Sequence, residues 1–139
     1  TILYRDENIP KKVDEFTDGD GVDVVYDSVG SATLEGSLDS LNPFGLLVSY
    51  GNSSGPIMNF NPAILSTKGS LYLTRPSLAT HVAQRSMFEE GTKELFDVIN
   101  NGYVNIKIGQ TYLLEEITRA HHDLETRNTI GSTVLLPNG

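Results

Sequence analysis

The 139-residue sequence has no cysteine and no tryptophan. Without cysteine, disulfides, thiolate zinc sites and cysteine nucleophiles are excluded within the chain, and a cytoplasmic setting fits. Basic side chains are scarce: ten Lys and Arg stand against eighteen Asp and Glu, for a formal charge of −8. That balance argues against a nucleic-acid module, which carries a basic stripe. It also argues against a surface drawn to anionic lipid. No apolar run approaches the roughly 18 residues that span a bilayer. The opening Thr1-Ile2-Leu3-Tyr4 meets Arg5-Asp6-Glu7 at once, unlike a secretory signal. Repeats, charge blocks and low-complexity linkers are also missing. No Gly-x-Gly-x-x-Gly follows a strand pattern, and no Gly-Lys-Ser or Gly-Lys-Thr closes a phosphate loop, so the usual nucleotide signatures are absent.

What remains is an ordinary globular composition, 38% hydrophobic with thirteen glycines, at a length that buries a core. Short apolar runs alternate with helical periodicity, the pattern of βαβ units around a parallel sheet. Ile2-Leu3-Tyr4 reads as a short strand. Ile9, Val13 and Phe16 then share a helix face, with Asn8 as cap, Pro10 in the first turn and Gly19 as the stop. Val22-Asp23-Val24-Val25-Tyr26 is a second strand. A helix with Leu34, Leu38 and Leu41 in register follows, capped by Ser31 or Thr33 and stopped by Asn42-Pro43. Leu46-Leu47-Val48-Ser49-Tyr50 and Ser70-Leu71-Tyr72-Leu73-Thr74 are further strands. Beyond them a longer helix carries Phe88, Leu95, Phe96 and Ile99, ending at Gly102. Val104, Ile106 and Ile108 alternate like a half-buried strand. Ile117, Ala120, His121 and Leu124 mark another helix before a last strand, Thr133-Val134-Leu135-Leu136.

Two successive strands end in small polar turns, Asp27-Ser28-Val29-Gly30 and Gly51-Asn52-Ser53-Ser54-Gly55. In an open parallel sheet the carboxyl ends of the strands form the ligand crevice. Glycine there lets backbone approach a ligand, and Ser and Asn offer neutral hydrogen bonds. Strand-to-helix turns also use these residues for capping and turn geometry. Asp27 suits either a general base or ribose ligand, or a carboxylate accepting from turn amides. Ser53 and Ser54 lack the Gly-x-Ser-x-Gly elbow of a nucleophile. Adjacent His121 and His122 point about 100° apart on a helix and cannot share a metal ion. His121 falls on the apolar face and reads as a core histidine. Arg127, before the last strand, suits an anionic ligand or a plain surface charge.

Three segments taken together resemble a known family: Val25-Tyr26-Asp27-Ser28-Val29-Gly30, then Gly45 through Gly55, then Lys68-Gly69-Ser70-Leu71-Tyr72-Leu73-Thr74-Arg75-Pro76. Their order and spacing, continuing to Ile130-Gly131-Ser132-Thr133-Val134-Leu135-Leu136-Pro137, resemble the zeta-crystallin-like NADPH:quinone oxidoreductases. These form a branch of the medium-chain dehydrogenase/reductase superfamily, and enoyl reductases share much of the pattern. The resemblance implies the C-terminal portion of such an enzyme, with an α/β fold. Residues 1–77 would be part of an NADPH-binding Rossmann domain, holding its last parallel strands. Residues 78–139 would be a segment returning to the catalytic domain. A full member also has the glycine-rich pyrophosphate loop, which this sequence lacks.

By position, the resemblance places Tyr4 along the adenosine 2′-phosphate and Val29 and Gly30 beside the adenine ribose. It places Tyr50, Gly51, Asn52 and Ser53 beside the nicotinamide half, and has Arg127 reach the cofactor from the returning segment. It implies no catalytic proton donor and no metal in this chain, and a small-molecule quinone as acceptor. Leu71-Tyr72-Leu73 would be the sheet edge that pairs in a homodimer. Two other readings stand beside this one: a non-catalytic dimerisation or assembly module, and a piece of a related enoyl reductase. A methyltransferase-type α/β domain shares the turn after Val22-Tyr26 but also needs its own glycine-rich loop.

Overall fold

Residues 1–137 are described by a computed structural model, which divides into the units Thr1–His81 and Val82–Gly139. In the first unit, α1 (Ile9–Thr17) starts where the Asn8 side chain accepts from the Lys11 N–H at 2.9 Å. It ends where Asp18 and Gly19 turn left-handed, φ 53° and 88°. Three parallel strands follow in chain order across one sheet: β1 (Val22–Asp27), β2 (Leu41–Ser49) and β3 (Tyr72–Thr74). Between them lie α2 (Leu34–Asp39) and α3 (Ala63–Thr67), and α4 (Leu78–His81) closes the unit.

The sheet is parallel, as the βαβ pattern predicts, but four local expectations fail. Ile2-Leu3-Tyr4 is not a strand. The Asp6 and Glu7 amides both donate to the Leu3 carbonyl at 2.9 Å, and the Glu7 carboxylate accepts from the Leu3 N–H at 2.6 Å. A run this short forms a strand only against a neighbour, and local turn bonds win. Asn42-Pro43 does not follow a helix either, because α2 has already ended and Leu41 opens β2. While β1 advances from Val22 to Val24, β2 advances from Leu41 to Leu46, so residues 42–45 bulge out with Phe44 at φ 66°. The third concerns capping: neither proposed hydroxyl caps α2. Thr33 occupies the cap position without a side-chain cap bond. The fourth is Tyr50, which lies just past the end of β2.

The core of this unit is a leucine cluster, Leu38, Leu41, Leu47 and Leu71, ringed by Val22, Val25, Leu34, Phe60, Ile64, Leu65 and Leu73. The expected trio Leu34, Leu38 and Leu41 thus packs together although Leu41 belongs to a strand.

The second unit holds α5 (Arg85–Asn100), β4 (Ile108–Leu113), a 3-10 turn (Leu114–Glu116), α6 (Ile117–Glu125) and β5 (Ser132–Leu136), with β4 and β5 parallel. Gly102, at φ 74°, closes α5: its amide donates to the Ile99 carbonyl and that of Tyr103 to Val98, both at 3.0 Å. The alternation at Val104 and Ile106 does not make a strand. Pairing starts only at Ile108, and all three side chains are exposed, so no covered face rewards the period-two pattern. His121 is exposed rather than in the core, beside a shallow hollow lined by Ile117, Ala120 and Leu124. Among the described residues no helix is long and apolar enough to cross a membrane.

Leu47, at 0% exposure, sits at the centre of the leucine cluster between β1 and β3. Leu47→Ala is expected to destabilise the unit by about 2–5 kcal/mol, through lost burial and the cavity left behind. Urea unfolding followed by far-UV circular dichroism checks this, and a loss below about 1 kcal/mol would contradict it.

Candidate functional site

Adjacent parallel strands open their carboxyl ends on the same side, and here Asp27 of β1 lies opposite Ser49 of β2. The two turns that follow, residues 27–30 and 50–55, therefore emerge next to each other. Asp27 is buried and both its oxygens are used. Oδ1 accepts from the Val29 N–H at 2.7 Å and the Gly30 N–H at 3.0 Å. Oδ2 accepts from the hydroxyls of Thr33 at 2.8 Å and Ser37 at 2.7 Å. Of the two roles its position allows, the structure gives Asp27 that of an acceptor for its own turn. Burial pushes its pKa up, but hydrogen bonds from Gly30, Ser37, Thr33 and Val29 outweigh that and hold the carboxyl below its ordinary value.

The second turn is laced onto the first. The Tyr50 N–H donates to the Asp27 carbonyl at 2.8 Å and the Ser53 N–H to that of Ser28 at 3.3 Å. Both the N–H and the hydroxyl of Ser54 donate to the Val29 carbonyl at 2.8 Å. Close approach explains two glycines. A Cβ on Gly51 would fall 2.2 Å from the Ser28 carbonyl oxygen, and one on Gly30, already at φ 94°, would fall 2.8 Å from that of Gly55. Their smallness is required for backbone to meet backbone.

The expected site residues fall into three groups. Tyr4 and Val29 share an open cleft of about 350 Å³ beside β1, with Ile9, Val13, Val22 and Ser28. Asn52 faces a separate hollow of about 340 Å³ with Ser49, Ile57 and Arg75, while Tyr50 and Ser53 are exposed on the same turn. Arg127 belongs to the second unit, exposed, in left-handed backbone at φ 62°. The bonds from Arg127 N–H to Leu124 and from Asn128 N–H to Asp123 close α6 around it, at a position glycine usually takes.

Two residues escape sequence reading. Arg75, right after β3, donates through Nη1 to the Ser49 carbonyl at 2.9 Å and the Gly51 carbonyl at 3.0 Å. Its Nη2 donates to the Asn52 Oδ1 at 2.9 Å. The only hint in the sequence is a cation placed where a strand ends. The other is Ser54, whose hydroxyl is engaged in turn bonds and is not a free nucleophile.

This arrangement offers an open, largely apolar cleft at one turn and polar groups at the next. It has no glycine-rich phosphate loop. Comparison with known proteins adds to this geometry. The sequence profile described as zinc-binding dehydrogenase matches residues 3–135. The chain belongs to that family.

Within this dehydrogenase family, a curated relative named quinone oxidoreductase, from Pseudomonas aeruginosa, is 50% identical over 99% of the chain. The chain spans only 42% of that relative's length. A 2-haloacrylate reductase from a Burkholderia species is 44% identical, covering 99% of the chain and 41% of its own length. Among solved structures, Escherichia coli quinone oxidoreductase complexed with NADPH superposes with a TM-score of 0.92 at 46% identity, covering 98% of this chain and 42% of that one. The fold is therefore α/β with parallel strands, like the Rossmann-type C-terminal part of those enzymes. The family's description names zinc. Among the described residues no group of three His, Cys, Asp or Glu side chains is placed to hold a metal ion.

A carboxylate whose folded pKa is depressed stabilises the fold above its unfolded pKa, and that contribution is lost as pH falls through the folded value. Stability is thus expected to fall below about pH 4. Asp27→Asn, which keeps one acceptor oxygen but sets an NH2 against the donors of the other, is expected to lose about 1–3 kcal/mol at pH 7 and to flatten the acid dependence. Urea midpoints at pH 7 and pH 3 for both proteins check this, and equal acid slopes would refute it.

Proposed function

We propose that the chain is the C-terminal part of a zinc-independent, NADPH-dependent quinone oxidoreductase, carrying the floor of its cofactor crevice. The observation that carries the reading is the pair of laced turns at the carboxyl ends of β1 and β2, the place where parallel sheets bind ligands. The residues fit the cofactor. Tyr4 and Val29 line a slot for the adenosine end, with Gly30 setting the turn beside it. Tyr50, Gly51, Asn52 and Ser53 face the nicotinamide end. Arg127 lies in the second unit, and its proposed role toward the cofactor rests on the resemblance alone. On this reading residues 1–77 belong to the cofactor domain and 78–139 return to the catalytic domain, in a cytoplasmic protein.

When bound, NADPH supplies the hydride that reduces the quinone. The chain's own residues orient the cofactor, and none of them is assigned as a proton donor. A helix N-terminus behind a glycine-rich loop normally anchors the pyrophosphate. Without it the chain alone is proposed to be inactive and to bind NADPH more weakly than about 1 mM, or less than about 4 kcal/mol. An NMR titration of the ¹⁵N-labelled chain is expected to show NADPH shifting the amides of Val29, Gly30 and residues 50–53 in that range. Micromolar affinity would overturn the missing-anchor argument, and shifts elsewhere would overturn the crevice. The 44% identity to a 2-haloacrylate reductase favours an activated alkene as the alternative acceptor.

A second reading rests on the sheet edge. Among the described residues β3 pairs with β2 alone, and Tyr72 on this strand is 62% exposed. An open edge of this kind pairs readily with a copy of itself. A homodimer through this strand is proposed whether or not the chain is catalytic. Sedimentation equilibrium is expected to give a dimer or larger, and a compact, stable monomer would refute it.

A further inference from the structure

Ser54 stands outside the residues assigned to the cofactor, yet its side chain joins the two turns. Its hydroxyl donates to the Val29 carbonyl at 2.8 Å and accepts from the Ala32 N–H at 3.0 Å. Its carbonyl accepts from the Ser31 hydroxyl at 3.3 Å. The Tyr50 and Ser53 amides also cross between the turns, but backbone bonds survive a side-chain change. The Arg75 guanidinium holds the second turn to β2 and β3 and does not reach the first. Ser54 and Ser31 therefore supply the side-chain ties across the crevice floor. A serine hydroxyl that already donates once and accepts once has little left for a ligand.

We infer that Ser54 is a positioning residue that fixes the separation of the two turns, so that one ligand can meet both in register. This rests on the reading of the crevice as an NADPH site. A ligand that spans two turns binds best when their spacing is set beforehand, because ordering them on binding opposes affinity. A ligand that meets only the first turn gains nothing from the tie. The consequence is selective. Losing the Ser54 hydroxyl weakens NADPH, which reaches both turns, and spares adenosine 2′,5′-bisphosphate, which reaches the Val29 side alone.

The test is an NMR titration of the ¹⁵N-labelled chain with each of these two probes, with thermal unfolding of every variant alongside. Ser54→Ala is expected to weaken NADPH about tenfold, the scale of one or two hydrogen bonds. Its bisphosphate affinity should stay within about twofold, and Ser54→Thr, which keeps the hydroxyl, should restore NADPH. Ser54→Cys, close in size but a poor hydrogen-bond partner, is the second deletion and should match Ser54→Ala. Equal weakening of both probes would mean general distortion and overturn the inference. Unchanged NADPH affinity in both deletions would overturn it as well. If the unmodified chain shows no NADPH shifts at Val29 or residues 50–53, the cofactor reading fails first, and the inference falls with it.

Discussion

A buried carboxylate is costly unless its charge is met, and Asp27 is met by four neutral donors. Those donors come from separate parts of the chain: two turn amides, the residue before α2, and a residue inside α2. One side chain thereby binds the end of β1, the turn and the following helix into a single body. The cap position of α2 follows from this, because the Thr33 hydroxyl points to Asp27 instead of back onto the helix. The second turn depends on the same point, since its first tie runs from the Tyr50 amide to the Asp27 carbonyl. Loss of the carboxylate would free the first turn and α2, while the second turn keeps its backbone bond to the Asp27 carbonyl.

The buried hydrophobic core is small. Four leucines form the buried cluster of the first unit. In the second, Tyr112 and Ala120 are the buried hydrophobic residues among those described, and the Tyr112 hydroxyl donates to Asp123 at 2.8 Å. That bond, more than partial burial, raises the phenol's pKa. The α5 helix leaves Phe88, Leu95 and Phe96 exposed along one face. Amphipathic helices draw most of their stability from covering such a face. Tyr26 and Tyr72 likewise stand exposed at opposite edges of the three-stranded sheet. On the proposed reading these surfaces belong against further structure, in keeping with a chain that spans 42% of its relatives' length.

Periodicity made α1, β1, α6 and β5 legible, because in each the apolar spacing and the end signals agree. Asn8 caps α1, and Gly102 closes α5 where a left-handed residue was expected. The failures share a cause. A run such as Ile2-Leu3-Tyr4 or Val104, Ile106 and Ile108 reports an apolar face but not whether a neighbour covers it. His121 was misplaced for that reason: its position on the helix is apolar, but nothing buries it. The crevice was legible as two small polar turns and no further. Ser54 reaches Val29 across 25 positions of sequence, and Arg75 reaches Gly51 across 24. No local pattern encodes bonds of that span, and only the resemblance of ordered motifs pointed to the function.

The charges of the crevice floor bear on which part of a larger enzyme does what. The chain carries a formal charge of −8, unfavourable for an anionic cofactor. The cation at the floor, Arg75, turns Nη1 to the Ser49 and Gly51 carbonyls and Nη2 to Asn52. What remains for a ligand is mostly neutral, and a neutral hydrogen bond nets only about 0.5–1.5 kcal/mol. On the proposed reading such a floor would orient a cofactor without holding it, and the holding would fall to groups that favour phosphate. The same division bears on the acceptor. The relatives include proteins named for a quinone and for a 2-haloacrylate. If the floor fixes only the hydride donor, as proposed, the acceptor is chosen by residues beyond it, and one architecture can then serve both.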